Sequence, residues 1–363
     1  MTNEAGWMER TRNSHPTLAD VARRAGVGKA TVSRVINGGR KVSPETLNRI
    51  NQVIRELDYR PSQAARSLKG NGTKAIGLVL PSIADPFFSD CAEAAQEVAR
   101  SNGYLMIVAA TNYDPPTEIH QLESLIRHRV EGILLAPADA KSKSLATLID
   151  SLAIPVITFN HPLQKAHVPS VLCENRRGTR MAIEHLLKHG YRGIACVGGE
   201  SSLYSIQERQ RGYADAMRAA GLEPLIVSST NSYAETESAL HTLCLPVRKI
   251  DAVFAVRNRI TIFVFQAMQA LGMSIPGDVA LVGFDDFDLA STLRPAVTVI
   301  RQPVQQIGRS AAKLLFEELK RPLSRSQSRT TQNLLKTALV LRSSCGCREA
   351  GIGSSTSDQR IAI

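Results

Sequence analysis

Short polar and basic side chains gather between residues 29 and 37, where they could contact a DNA duplex. Val32, Val35 and Ile36 fall on one face of a helix in this segment. The other faces and the leading end carry Lys29, Ala30, Thr31, Ser33, Arg34 and Asn37. Side chains of this size can enter a major groove and bond to bases and phosphates. The segment therefore indicates recognition of nucleic acid.

Three short helices are predicted to position these side chains. Thr17 can cap the first helix while Asp20 reaches back to the cap amide, which is a capping box. The run Gly26-Val27-Gly28 permits a tight turn before the second helix. Ser43 and Pro44 announce a third helix. The outline is that of a helix-turn-helix domain, which we expect over residues 17–60.

The segment that follows reads as a hinge. Pro61 and Gly70 bound a helical pattern of roughly two turns, and isolated helices shorter than about 12 residues rarely persist in water. We therefore expect residues 61–73 to form a hinge helix and linker that folds only when something holds it. Residues 1–16 are expected to be a disordered tail.

Four motifs resemble the lactose-repressor (LacI/GalR) family of bacterial transcription regulators, and the resemblance extends from about residue 17 to residue 343. The motifs are Leu18-Ala19-Asp20-Val21-Ala22, Gly26-Val27, Ala30-Thr31-Val32-Ser33-Arg34-Val35-Ile36-Asn37 and Ala65-Arg66-Ser67-Leu68-Lys69. One departure is Gly28, because members usually carry serine as the cap of the second helix. Glycine caps nearly as well, at a cost of about a few tenths of a kcal/mol, so we expect no loss of function there.

The resemblance implies which residues contact DNA. Lys29, Ala30 and Arg34 would contact base edges, with Thr31, Ser33 and Asn37 at phosphates or bases. Paired hinge helices of a dimer would place Leu68 in the minor groove, where it wedges a base step apart and kinks the duplex. The complete expected set is Thr17, Lys29, Ala30, Thr31, Ser33, Arg34, Asn37, Ala65, Leu68 and Lys69.

Charge is distributed as a nucleic-acid binder requires. The chain has 363 residues and a formal net charge of +11, and residues 1–74 hold 14 Lys or Arg against 6 Asp or Glu. A basic head on a nearly neutral body is the electrostatic footprint of DNA binding. No apolar run reaches the length of a membrane span, and nothing near the start resembles a secretion signal. We therefore expect a cytoplasmic protein with no membrane partner.

The body of the chain predicts an α/β fold. Apolar runs alternate with amphipathic helices, a pattern typical of parallel sheets covered on both faces. About 270 residues exceed one open sheet, so we expect residues 74–343 to form two doubly wound lobes. The resemblance implies a periplasmic-binding-protein-like core whose chain crosses between the lobes three times. Candidate strands are 75–80, 104–110, 131–137, 155–160, 193–199, 224–228, 251–256 and 278–284.

Effector-binding candidates follow from the rule that ligands sit at the carboxyl ends of the strands and in the cleft between lobes. The run Asp85-Pro86-Phe87-Phe88 matches a family element and offers an aromatic wall, although the phenylalanines could simply pack on the core. The run Arg209-Gln210-Arg211-Gly212-Tyr213 matches the family's Arg-x-x-Gly-aromatic element, and Asp285 matches its aspartate. A surface arginine or a turn aspartate is the ordinary alternative. The expected set is Asp85, Phe87, Phe88, Asn160, Arg209, Arg257, Asn258 and Asp285.

Two departures bear on the chemistry of the ligand. The family commonly has Asn-Asp after the seventh strand, where this chain has Arg257-Asn258. It has Asp-Asn where this chain has Glu174-Asn175. One acidic group lost and one basic group gained favour an anionic ligand such as a sugar acid. A small sugar or sugar acid is therefore the expected effector, with a nucleobase-type ligand or a protein corepressor as alternatives.

Cysteine and histidine spacing does not predict a metal site or a disulfide framework. Cys345 and Cys347 lie in a polar stretch, and residues 344–363 are expected to be a disordered tail. His185 and His189 are four apart on a predicted helix, but no third ligand is evident nearby, so a helix packed on its sheet is the expected reading. No cofactor is expected.

The function expected from these observations is a homodimeric transcription regulator, a repressor, that binds an operator under the control of a small effector. A solute-binding protein for transport would suit the body alone, but the basic head argues against it. An enzyme is not expected, because no nucleophile elbow, metal cluster or dinucleotide loop is present. The tail lacks a leucine heptad, so a tetramer is not expected.

Overall fold

The protein divides into two compact units. The computed structural model describes residues 16–36, 42–59, 72–198, 203–227, 232–243, 250–321, 331–347 and 361–362. One unit comprises Met1–Thr73 and the other Lys74–Ile363. The described helices of the first unit are α1 Leu18–Arg24, α2 Lys29–Ile36 and α3 Pro44–Glu56.

Local hydrogen bonds hold the helices of the first unit as predicted. The Thr17 side chain accepts the Asp20 N–H at 3.3 Å, and the Asp20 carboxylate accepts the Thr17 N–H at 3.0 Å, which confirms the capping box. Ser43 caps α3 and Pro44 occupies its first turn. Val21, Val32 and Ile50, one from each helix, are fully buried together. Apolar periodicity thus closes a small core and leaves the other helix faces to solvent.

Two sheets organise the second unit, which confirms the predicted α/β class. The first sheet is wholly parallel, in the order β11-β5-β4-β3-β1-β2. Its strands are β1 Ala75–Leu80, β2 Leu105–Ala110, β3 Ile133–Leu135, β4 Val156–Phe159, β5 Ser170–Cys173 and β11 Gln332–Leu335.

The second sheet has the order β13-β12-β10-β9-β8-β6-β7. It is parallel except that β12 runs antiparallel to β10 and to β13. Its strands are β6 Ile194–Val197, β7 Leu225–Val227, β8 Ala252–Ala255, β9 Ala280–Phe284, β10 Thr298–Arg301, β12 Ala338–Val340 and β13 Ile361–Ala362.

Helices cover both faces of each sheet, so nearly every strand is apolar along its whole length. A lobe is defined here as one sheet with its helices. The N lobe carries α4 Pro86–Ser101, α5 Pro115–Arg127, α6 Lys143–Asp150 and α11 Val304–Leu319. The C lobe carries α7 Asn175–Lys188, α8 Tyr204–Ala219, α9 Tyr233–Leu243 and α10 Asn258–Ala270, with a 3₁₀ turn at Asp288–Ser291.

The chain passes between the lobes three times. It leaves the N lobe after β5, returns after β10 into α11, and leaves again between β11 and β12. This is the number of crossings that the resemblance implies. Neither lobe is therefore built from one continuous stretch of chain.

Some elements differ from the sequence expectation. The eight predicted strands are present, but the short strands β5, β10, β11, β12 and β13 were not predicted. The predicted tail from residue 344 is wrong for its first residues. Ser344 and Cys345 are fully buried, because the Ser344 hydroxyl donates to the carbonyl of Leu281 at 2.6 Å and accepts the Thr298 N–H at 2.9 Å. Within the described residues, no helix is long and apolar enough to span a membrane.

Candidate functional site

Strand ends from both sheets meet at a cleft between the lobes. The N lobe contributes Asp85, Phe87, Phe88, Tyr113, Asn160 and His161, and the C lobe contributes Leu203, Ser205, Ile206, Arg209, Arg257, Asp285 and Gln302. Seven of the eight predicted effector residues are in this set. Asn258, the eighth, lies beside it and donates to the Asp85 carboxylate at 3.3 Å.

A buried ion pair forms the C-lobe side of the cleft. Arg209 on α8 donates to Asp285, which follows β9 directly, with Nη1 and Oδ2 3.0 Å apart. The two side chains are 3% and 12% exposed. Burial raises the pKa of Asp285, while the charge of Arg209 and a 2.5 Å hydrogen bond from Gln302 oppose that rise. The pair thus places a guanidinium and a carboxyl group side by side at the strand ends.

Arg209 is held in one orientation by three further contacts. Its Nε donates to the Asn175 side chain at 2.8 Å, and its Nη1 donates to the Val256 carbonyl at 2.7 Å. The guanidinium lies 3.7 Å from the centre of the Phe284 ring. Its Nη2 makes only a long 3.5 Å contact with Asp285. The outer nitrogen is thus the one placed to donate to a ligand.

Gly212, one turn beyond Arg209, allows α8 to approach α7 closely. A Cβ on this residue would lie 2.3 Å from the backbone oxygen of Arg176. Only glycine therefore permits the helix contact that brings Arg209 within reach of Asn175 at the start of α7. The spacing Arg-x-x-Gly follows from this packing, because residues three apart lie on the same helix face.

The N-lobe side of the cleft combines an acid with aromatic rings. Asp85 caps α4 by accepting the Phe87 N–H at 3.1 Å. Phe87 and Phe88 are both buried and meet edge to face, with ring centres 5.0 Å apart. Phe88 also belongs to the N-lobe core. The two expectations for Phe88, cleft wall and core packing, are thus both met by its position.

Two hydrogen bonds join the lobes across the cleft. One is the Asn258 to Asp85 bond, and the other runs from the Ser205 N–H to His161 Nδ1 at 3.4 Å. Burial and the charge of Arg209 lower the pKa of His161 to about 3, so its ring is neutral and can accept this bond. A change in lobe arrangement must break or lengthen both bonds.

Several cleft residues were missed by the sequence analysis. Gln302 directly follows β10, so the rule of strand ends would have found it had β10 been predicted, and His161 lies two residues beyond the end of β4. Tyr113 lies three residues beyond β2, and burial together with Asp85 raises its pKa to about 12. Its phenol therefore remains protonated and able to donate a hydrogen bond.

The cleft is nearly closed. It leaves about 30 Å³ for the centres of water-sized molecules, whereas ligand pockets in proteins span roughly 300–1,000 Å³. Entry of a ring-sized ligand therefore requires the lobes to separate or the lining side chains to reorient. Arg257, one of the two departures from the family pattern, faces this cleft. Glu174, the other departure, occupies the N-cap position of α7 without a capping bond from its side chain and pairs with Arg177 at 2.9 Å.

In the first unit, the predicted DNA contacts lie on one accessible helix. Lys29, Ala30 and Arg34 of α2 are exposed, and Thr31 and Ser33 are half-buried. Thr17 is also exposed. Asn37, Ala65, Leu68 and Lys69 lie outside the described residues. The exposed residues of α2 are those expected at base edges, and Val32 on the opposite face of this helix is buried.

One expectation about metal ligands is wrong. His185 and His189 do have a third candidate ligand nearby, because the Sγ of Cys347 lies 3.4 Å from His189 Nε2. Cys345 is also close, with its Sγ 3.2 Å from His185 Nε2. The pairs are distant in sequence and meet only through the tertiary fold.

A helix-turn-helix unit joined to a two-lobed core with a polar interlobe cleft defines a ligand-responsive DNA-binding protein. The family "Bacterial regulatory proteins, lacI family" matches residues 17–62. The family "Periplasmic binding proteins and sugar binding domain of LacI family" matches residues 73–338. The chain belongs to the LacI family of bacterial transcription regulators.

The chain is similar in sequence to named relatives over most of its length, and solved structures share its fold. The chain is 31% identical to the ribose operon repressor of Halalkalibacterium halodurans over 90% of this chain and 96% of that protein. A transcriptional regulator CelR–cellobiose complex is 29% identical, covers 91% of this chain and 99% of that one, and has a TM-score of 0.67. The Lac repressor dimer bound to operator and the anti-inducer ONPF has a TM-score of 0.80 at 24% identity, over 91% and 99% of the chains.

Proposed function

We propose that this chain represses transcription by binding a pseudo-palindromic operator as a homodimer, and that a sugar or sugar acid in the cleft controls its operator affinity. One observation carries the proposal. Seven side chains chosen from strand ends and motifs line a single cleft in a chain that also carries a helix-turn-helix unit. The relative named ribose operon repressor supports the sign of regulation. Because an operator is chromosomal DNA, we expect the protein to act in the cytoplasm.

The cleft has the chemistry of a polyol site. Carboxylate oxygens of Asp85 and Asp285 accept hydrogen bonds from hydroxyl groups, and Arg209 donates from its outer nitrogen. Phe87 gives an aromatic face to the C–H side of a sugar ring. A test compares Arg209→Lys with Arg211→Lys, a 61% exposed neighbour on the same helix. We expect R209K to weaken effector binding by about tenfold or more, because lysine keeps the charge but loses the planar fork. R211K should bind as the parent does.

Arg257 supports an anionic effector. It faces the cleft and brings a second guanidinium to the lining beside that of Arg209. Arg257→Gln should weaken binding of a sugar acid about tenfold or more while changing affinity for the matching neutral sugar little. The matched control is Arg259→Gln, two residues along α10 and exposed. Tight binding of a neutral sugar with no binding of any acid would contradict this preference.

DNA recognition is assigned to α2 and to the predicted hinge. Substitutions at Lys29 and Ala30 should change base preference, whereas loss of a phosphate contact should weaken all sequences alike and flatten the salt dependence. Leu68→Ala should keep effector binding and lose most specific operator binding, since the wedge that kinks the duplex is gone. An unchanged operator affinity of L68A in a gel-shift titration would refute the wedge.

Homodimer formation is supported by two edge strands. Leu105 and Val108 on β2 are 64% and 42% exposed, and Ile226 on β7 is 37% exposed. No described strand pairs with the outer edges of β2 and β7. Exposed apolar edge strands are usually covered, and a second copy of the chain would cover both. Sedimentation should show a dimer, and Leu105→Lys should shift it toward monomer without unfolding it.

Switching is assigned to the lobe arrangement. An effector that needs more room must alter the Asn258–Asp85 and Ser205–His161 bonds. A difference of about 2.7 kcal/mol in affinity for the two arrangements gives roughly a hundredfold change in operator affinity. The hinge predicted at residues 61–73 is the segment through which such a change would reach the DNA.

The test of the whole proposal is binding of the full chain to fragmented genomic DNA of the source organism, followed by sequencing. Pooled sugars and sugar acids are added in parallel. One palindromic site that a pool member releases would establish regulator, operator and effector class together. Weak, salt-sensitive and sequence-independent binding that no ligand alters would overturn the effector switch and favour a protein corepressor instead.

A further inference from the structure

Two histidines and two cysteines converge at the end of the C lobe away from the predicted effector residues. His185 lies in the last turn of α7 and His189 caps that helix. Cys345 and Cys347 lie in and just after the turn that follows β12. His185 and Cys345 are 160 residues apart in sequence, yet their Nε2 and Sγ atoms are 3.2 Å apart.

Two further distances match the spacing of ligands around a tetrahedral metal ion. Cys347 Sγ lies 3.6 Å from His185 Nε2 and 3.4 Å from His189 Nε2. Zinc binds sulfur at about 2.3 Å and nitrogen at about 2.0–2.1 Å, so tetrahedral angles separate sulfur and nitrogen ligands by roughly 3.5 Å. The ligand atoms of His185, His189 and Cys347 all lie within 4.8 Å of one another. One ion can therefore reach these three atoms with small side-chain adjustments, and Cys345 Sγ, which is not one of the three but lies 3.2 Å from His185 Nε2, must turn toward the ion to become the fourth ligand.

The backbone between the cysteines is shaped to bring both sulfurs to the same place. Gly346 has φ +91°, a value that side chains rarely allow. A Cβ there would also lie 2.9 Å from the Tyr191 hydroxyl and 3.7 Å from His189 Nδ1. The sequence Cys-Gly-Cys thus supplies two ligands around a residue that must be glycine.

A hydroxyl group is aimed at one of the sulfurs. Thr298 Oγ1 accepts the Arg342 N–H at 2.8 Å, so its own hydrogen is directed away from that bond. Its other partner is Cys345 Sγ at 3.1 Å. Donation to a ligand sulfur stabilises a thiolate, and such outer contacts commonly orient metal ligands.

We propose that His185, His189, Cys345 and Cys347 bind one zinc ion. Two imidazoles and two thiolates are the Cys₂His₂ set of closed structural zinc sites. Both thiols release their protons to solvent on binding, so the bound ion and its thiolates carry no net charge together. Cys345 is fully buried and Cys347 is partly exposed, which leaves a path for the ion to enter.

The ion would join the turn after β12 to the C-terminal end of α7. The first residue of α7, Asn175, contacts Arg209 in the cleft. A 14-residue helix spans about 21 Å, so the two sites lie at opposite ends of one rigid element. The role of the ion is structural, and none of its four proposed ligands lines the effector cleft.

The direct test is the metal content of the full chain, made without a polyhistidine tag and purified under reducing conditions. We expect about one zinc per chain, as closed Cys₂His₂ sites require. After chelation, titration with Co²⁺ should produce the intense near-ultraviolet absorption of thiolate–cobalt bonds. Zinc removal should lower the midpoint of thermal unfolding, and added zinc should restore it.

Variants separate binding from folding. Cys347→Ser changes a half-buried side chain and His189→Gln an exposed one, so both variants should fold. Each variant should lose the one zinc ion per chain that we expect in the parent. Thr298→Val should weaken Co²⁺ binding by about 10–100-fold, the usual effect of losing an outer-shell partner. Controls are Cys91→Ala, a buried thiol of the N lobe, and His241→Gln, an exposed histidine of α9. Both controls should keep the metal.

Three results would overturn the proposal. The reduced parent could contain no zinc and bind Co²⁺ without the thiolate absorption, which would leave only thiol–imidazole hydrogen bonds. A mass two daltons low after non-reducing purification, with no metal, would mean a disulfide instead. Equal zinc in the parent and in C347S would place the ion elsewhere. None of these results bears on operator or effector binding.

Discussion

Replacing Arg209 by methionine should destabilise the core by leaving the carboxylate of Asp285 buried without its counterion. The pair is 3% and 12% exposed, so little water can take the place of the guanidinium. Removing one partner of a buried ion pair costs about 3–5 kcal/mol. Gln302 at 2.5 Å remains as a donor to Asp285 and limits the loss. We therefore expect a loss of about 3–5 kcal/mol at pH 8.

The destabilisation should depend on pH in a defined direction. Burial raises the pKa of Asp285, and loss of the arginine charge raises it further. A carboxyl group whose pKa is higher in the folded state binds a proton on folding, so the penalty shrinks as the pH falls toward that pKa. Arg209→Met should thus approach the parent in stability at pH 5 and fall behind it at pH 8.

A second substitution separates the charge from the packing. In the double variant Arg209→Met, Asp285→Asn the buried charge is gone, and the remaining losses are the hydrogen bonds of Arg209 to Asn175 and Val256 and its contact with the Phe284 ring. Each such bond is worth about 1 kcal/mol, so the double variant should lose about 1–2 kcal/mol and show little added pH dependence.

The assay is thermal unfolding followed by circular dichroism at pH 5 and pH 8. With about 2 °C per kcal/mol for a unit of this size, R209M should melt roughly 6–10 °C below the parent at pH 8. Arg211→Met, on the exposed face of the same helix, is the control and should melt within about 1–2 °C of the parent. An R209M variant that melts with the parent at pH 8, or a double variant no better than the single one, would refute the reasoning.

Three further substitutions test other parts of the core. Burial raises the pKa of Glu118 to about 7, so the parent should lose about 2–3 kcal/mol between pH 4.5 and pH 7, and Glu118→Gln should flatten that profile in urea unfolding. Tyr213→Phe removes the phenol oxygen that accepts the Leu225 N–H at 2.8 Å, and it should lower the free energy of unfolding by about 2–4 kcal/mol in the same assay. Gly212→Ala meets the Arg176 carbonyl and should lower both the melting midpoint and effector affinity, since it pushes Arg209 from its place; unchanged affinity would mean that α8 tolerates a shift.

Much of the cleft was accessible from sequence because parallel strands end in a predictable place. Asn160 and Asp285 follow β4 and β9 directly, and both have positive φ, the sharp turn that aims a strand-end side chain into the cleft. Arg209 was predicted because it matches the Arg-x-x-Gly-aromatic element of the family, and the structure gives that spacing a steric reason. The rule of strand ends and the family resemblance together were sufficient for these residues.

The missed features depend on contacts between distant parts of the chain. β11 begins with polar residues at Gln332 and Asn333, and it becomes a strand because it pairs with β5. Ser344 looked like part of a polar tail, yet its hydroxyl completes hydrogen bonds at the end of the second sheet. Cys345 and Cys347 were not predicted as metal ligands, because nothing near them in the sequence indicates that His185 and His189 lie beside them in the fold.

The three passages of the chain between the lobes determine when this protein can fold during synthesis. The first unit needs nothing beyond residue 59 for its described core, so it can fold early on the ribosome. The N lobe needs α11 and β11, and the C lobe needs β12, which ends at Val340. Neither lobe can therefore complete its fold until the last part of the chain has been synthesised. A chain terminated before residue 331 would carry a finished DNA-binding unit on two incomplete lobes, with their apolar sheet edges open to aggregation and proteolysis.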